Sequence, residues 1–127
     1  MKASELRIGN YILYKGEVTA VLPWHISAQY EAEEHVIAGR RPHFKADPIP
    51  LTQDAFDKLP FDFVNGDYKH EQNTMFFSGS LSDLWLGDSS VYSEFHVPKT
   101  PEYLHQLQNL YFFLTGQELT YNTEYND

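Results

Sequence analysis

Six histidines are the first residues in this chain that could move protons or hold a metal: His25, His35, His43, His70, His96 and His105. A helix-borne zinc site needs two of them one turn apart beside a glutamate, and no pair has that spacing. Glu33-Glu34-His35 with His43 and Asp47 offers a mixed oxygen and nitrogen donor set, but the stretch reads as a solvated acidic loop beside a connector. Asp67, His70 and Glu71 follow Asn65-Gly66. On a strand, Asp67 and His70 would alternate to opposite faces, which separates the acid from the base. No metal and no cofactor is expected.

Nucleophilic chemistry fares no better. There is no cysteine, which removes thiolate catalysis, disulfides and thiolate metal centres together. No Gly-x-Ser-x-Gly elbow occurs, and Ser78-Gly79-Ser80 and Ser89-Ser90 have the composition of turns. Gly79 and Gly87 are isolated, so no glycine-rich loop is present to cradle phosphate. Spacing singles out no pair of carboxylates for glycoside hydrolysis. The chain is therefore expected not to be an enzyme, and no catalytic residue is assigned.

Charge narrows the choice of partner. Nine Lys and Arg face eighteen Asp and Glu, a net charge of −9, so the chain as a whole repels a polyphosphate backbone. Its one basic cluster is Arg40-Arg41 with Lys45 nearby. Trp24 and Trp85 could stack on bases, but such platforms come with a basic groove. Direct nucleic-acid binding is disfavoured. The opening Met1 to Arg7 lacks the apolar run of a signal peptide, and no stretch is long enough to span a bilayer. Together with the absence of cysteine this points to a reducing cytoplasm and no membrane partner.

A length of 127 residues with 16% aromatic content suits one folded domain. Residues 1–47 are expected to be β-rich, SH3-like in their opening. Leu6 to Tyr14 leads into a Lys15-Gly16-Glu17 turn, Val18 to Leu22 follows, and further strands are expected over His25 to Tyr30 and His35 to Ile37. Residues 48–121 should hold a short helix, an antiparallel meander and a C-terminal helix packed on it. Thr52 is the expected cap of a helix over Gln53 to Leu59, burying Ala55, Phe56 and Leu59 before Pro60. Asn65-Gly66 marks a type I′ hairpin within a span of four strands from Phe61 to Val97. The last helix should be capped by Thr100, with Pro101 in its first turn and Gly116 at its end. Glu118 to Tyr121 could return as an edge strand, and 122–127 is expected to fray. The whole reads as α+β.

On the last helix, Tyr103, Leu104, Leu107, Leu110, Tyr111 and Leu114 share one face at helical spacing. His105, Asn109 and Phe112 project to the other side, flanked by Phe113. From Tyr103 to Thr115 there is no charged residue. A helix with one sheet beneath it should be charged on its far side. These four residues are thus the candidate binding surface, covered either within the fold or by a second chain.

Three stretches carry a resemblance: Leu6-Arg7-Ile8-Gly9-Asn10-Tyr11, Pro48-Ile49-Pro50-Leu51-Thr52, and His105-Gln106-Leu107-Gln108-Asn109-Leu110-Tyr111-Phe112-Phe113-Leu114-Thr115-Gly116. Their order and spacing resemble a group of short uncharacterised proteins encoded by gut anaerobes and their phages or prophages. The chain departs from that group at Phe113, where a small residue is expected, and in the shortness of the helix after Thr52. The resemblance implies a phage or mobile-element setting in a bacterial cytoplasm, and it carries over no site residue. Protein binding is the leading expectation, with another protein or a second copy as partner. The rivals are an acidic mimic of nucleic acid that blocks a defence factor and a small-ligand, nucleotide-like sequestering protein.

Overall fold

The computed structural model describes residues 1–122 and divides the chain into two compact units. The first takes Met1–Pro50 and Tyr103–Thr120, and the second takes Leu51–Glu102 together with Tyr121 and Asn122. In chain order the elements are β1 (Tyr11–Tyr14), β2 (Glu17–Ala20), α1 (Pro23–Ile37), β3 (Ala46–Asp47) and α2 (Gln53–Asp57). The five strands β4 (Phe61–Val64), β5 (Asp67–His70), β6 (Met75–Ser80), β7 (Asp83–Asp88) and β8 (Ser93–His96) follow, and α3 (Leu104–Thr115) comes last. The architecture is α+β, with every strand pair antiparallel.

In the first unit the sheet order is β2-β1-β3. Lys15 and Gly16 have φ of 53° and 80°, the positive pair that a tight β1–β2 hairpin demands. Three strands close no barrel, and the strands expected over His25 to Tyr30 and His35 to Ile37 are one helix instead. Pro23 occupies its first turn, where a missing N–H costs nothing, and the Leu22 N–H donates to His25 Nδ1 at 2.9 Å. Ala28, Gln29, Glu31, Ala32, Glu33 and Glu34 are strong helix formers, and their sum outweighs the β preference of Ile26, Val36 and Ile37. Leu6, Ile12 and Val21 form a buried cluster against which Met1, Ile26 and Ala46 pack.

Helix α3 belongs to this first unit, where it packs against β1 and leaves the meander to the second. It starts later than the sequence suggests. Tyr103, rather than Thr100, is its cap, and the Tyr103 N–H donates to Gln106 Oε1 at 3.2 Å. Gly116 ends it in the left-handed conformation, φ 72°. Leu104, Leu107 and Tyr111 are buried, whereas Tyr103 and Leu110 are half-buried and Leu114 is 40% exposed. The return over Glu118 to Tyr121 forms no strand, although Leu119 is buried. Residues 123–127 of the tail expected to fray lie outside the described residues.

The second unit is a five-stranded meander in the order β4-β5-β6-β7-β8, one strand more than expected, because Asp67–His70 pairs on both sides. Asn65 and Gly66 have φ of 52° and 86°, as the type I′ reading requires. The Ala55 N–H donates to Thr52 Oγ1 at 3.3 Å, so Thr52 caps α2. Ala55, Phe56 and Leu59 are buried as expected. The Phe56 ring lies 4.5 Å from Tyr68 and 5.8 Å from Phe77, and Phe61 lies 5.1 Å from Phe77.

Candidate functional site

The first and third motif stretches meet along α3. Gln108 is wholly buried, and its amide is fully used. Its Nε2 donates to the Gly9 carbonyl at 3.2 Å and the Leu119 carbonyl at 2.9 Å, while its Oε1 accepts from the Tyr11 N–H at 3.0 Å. Gly9 has φ 104°, and a Cβ there would meet Glu118 Oε2 at 2.9 Å, so no other residue fits without displacement. The middle stretch joins through Ile49, whose carbonyl accepts from the Leu104 N–H at 2.8 Å.

Asn109 was expected on the outer face, and it is committed to this network. Its Oδ1 accepts from Arg7 Nε at 3.2 Å and Asn10 Nδ2 at 2.8 Å, and its Nδ2 donates to the Glu5 carbonyl at 2.7 Å. Arg7 also pairs with Glu118, and its guanidinium carbon lies 4.2 Å from the centroid of the Phe112 ring.

His105 is covered within the fold, the first of the two coverings expected for it. It is 1% exposed, so it belongs to the interior of the first unit and to no outer surface. Neither ring nitrogen meets a hydrogen-bond partner, and its ring stacks 6.1 Å from Tyr103. Burial pushes its pKa below the ordinary imidazole value, only partly opposed by the Glu5 carboxylate. Leu104 and His105 are adjacent on the helix and both are buried, so both sides of this turn are covered.

What remains outside is apolar. Phe113 is 86% exposed, Phe112 38% and Leu114 40%, three consecutive residues at the C-terminal end of α3. Ile8, next to Arg7, is also exposed. The Arg7–Glu118 ion pair supplies a polar margin beside the Phe112 ring. This surface is exposed apolar area with one ion pair at its margin.

The other sequence candidates do not converge. Glu33 Oε1 accepts from the Ala3 N–H at 2.7 Å, which ties that carboxylate to the N-terminal turn. No group of three or more His, Cys, Asp or Glu among the described residues is placed to hold a metal. His96 Nε2 contacts the Asp83 carboxylate beside Trp85, whose ring lies 5.0 Å from the imidazole, and both partners are open to solvent. The chain has no helix long and apolar enough to cross a membrane among the described residues.

Arg7, Asn10 and Gln108 carry the geometry here and were not singled out from sequence. For Gln108 the signal was a polar residue interrupting an otherwise apolar helix face, whereas Arg7 and Asn10 lie outside any helix and stood out only as members of the first motif stretch. No family model, curated protein or solved structure matches the chain.

Proposed function

We propose that the chain is a non-enzymatic accessory protein of a phage or mobile element that acts in the bacterial cytoplasm by binding another protein. The observation that carries this reading is the run Phe112-Phe113-Leu114, exposed on a helix whose opposite side is firmly held. Leaving such area in water forfeits about 25 cal/mol per Å² of burial. Anchors of this kind, rimmed by an Arg and a Glu, suit the centre of a protein interface.

The acidic mimic fits less well. Its carboxylates should gather at the spacing of phosphates, whereas here they are spread over α1, α2 and strands of both sheets, from Glu31 and Asp54 to Asp62, Asp88 and Glu94. A dispersed negative charge favours solubility over mimicry.

The test compares the wild type with Phe113→Asp. Circular dichroism should show both folded to the same extent. As bait in the native host, the wild type should retain a stoichiometric partner, or sediment as an oligomer, and Phe113→Asp should do neither. Two monomers that capture the same proteins would sink the proposal.

A further inference from the structure

A second site lies in the first unit, on the turn between β1 and β2 and the segment that leads into β3. A cavity of about 360 Å³ there is lined by Tyr14, Lys15, Gly16, His43, Lys45 and Asp47. Of the nine Lys and Arg in this acidic chain, four are Lys15, Arg40, Arg41 and Lys45, on that turn and that segment. Among the described residues the ion pairs fall on Arg7 and His96, and Lys15, His43 and Lys45 have none. Asp47 is the one carboxylate in the cavity lining, and it makes no ion pair with these cations.

The sheet register sharpens the point. Leu13 pairs with Asp47 and Tyr14 with Ala46, so one step further along both strands stand Lys15 and Lys45. Both lysines stand just past the ends of the paired strands and line one cavity, where like charges repel. An arrangement that concentrates such charge is stabilised by an anion between them. The wall behind is aromatic: the Tyr14 ring stacks on Phe44 at 5.3 Å and meets Trp24 and His25 edge-on, each at 5.5 Å. His25 is itself buried, with Nδ1 accepting from the Leu22 N–H and Nε2 unpartnered.

We propose that this pocket binds a phosphate-bearing small molecule, its phosphate held by Lys15, Lys45 and His43. Two ammonium groups and an imidazole match the double charge and peripheral oxygens of a terminal phosphate. Asp47 offers an acceptor for a ligand hydroxyl. The net charge of −9 would repel a long polyanion, and the cavity has room for a small molecule only, so the ligand is not a nucleic acid. The site is separate from the Phe112–Leu114 surface and stands or falls without it.

The full-length chain would be titrated at low salt with inorganic pyrophosphate and, in a parallel arm, with a nucleoside diphosphate, by calorimetry and amide NMR. Binding of either is expected, and Lys15→Ala and Lys45→Ala should each weaken it by roughly tenfold while leaving the circular dichroism intact. Tighter binding of the nucleoside diphosphate assigns an organic phosphate, and equal binding assigns the free anion. The proposal is overturned if neither probe binds at millimolar concentration. Binding that sulfate reproduces, or that the Lys15→Ala/Lys45→Ala double variant retains in full, overturns it equally.

Discussion

The side chain of Gln108 stands in for a backbone: its carbonyl oxygen takes the Tyr11 N–H at 3.0 Å at the first residue of β1, as a neighbouring strand would. Its amide nitrogen meanwhile reaches Gly9 and Leu119. One residue of α3 thus closes the polar groups of two other segments.

Replacement of Gln108 by Leu keeps the volume but strands the Tyr11 N–H and the Gly9 and Leu119 carbonyls in the interior. The Leu119 carbonyl bond is fully buried and the other two are part-buried, so the expected loss is at least about 3 kcal/mol at about 1–3 kcal/mol per unsatisfied group. Urea denaturation of the two proteins measures it. A midpoint equal to that of the wild type would mean that the amide does not carry these bonds.

Two leucines on the same helix should behave differently. Leu107 is fully buried, and Leu107→Ala should cost about 2–5 kcal/mol through lost transfer energy and a residual cavity. Leu114, at 40% exposure, should cost less than about 1 kcal/mol on the same substitution. Equal thermal shifts for the two variants would contradict the described rotation of α3.

Acidification should weaken the fold through its buried imidazoles. Burial lowers the pKa of His105, His25 and His70 from the ordinary 6.5, opposed in part by Glu5 near His105 and Glu71 near His70. The unfolded chain then binds protons that the folded chain refuses. Their contribution is complete above about pH 6.5 and is lost as pH falls below that value. Glu5 acts in the same direction at lower pH: its carboxyl is held low mainly by the Lys2 N–H, so its contribution is lost only under more acidic conditions. Melts from pH 8 to pH 5 should show a falling Tm, and His105→Leu should flatten the slope. An unchanged slope in that variant would remove His105 from this account.

Local signals were the legible ones. Thr52, Asn65-Gly66 and Gly116 announce their roles because cap and turn chemistry depends on a handful of neighbouring atoms. The α+β class follows from them. Helix α1 was not legible as such, because its short apolar islands at either end look like strands while its helix-forming middle looks like a loop. The site was half legible. Phe112 and Phe113 stand where a charge-free helix exposes them, but His105 and Asn109 are buried or bonded by segments about a hundred positions away. No periodicity within α3 encodes Arg7, which lies 102 residues from Asn109.

The first unit is written in two instalments, with Leu51–Glu102 between them. Within the second unit the two ends of that intervening stretch are tied by the Leu51 N–H, which donates to the Glu102 carbonyl at 2.9 Å. During synthesis, the meander is complete on the ribosome before α3 has been made. Until then the Gly9 carbonyl and the Tyr11 N–H must wait for the Gln108 amide that pairs them. The nascent N-terminal half is therefore the exposed partner in translation, and the speed with which Leu104–Thr115 emerges sets how long a chaperone or protease can compete for it.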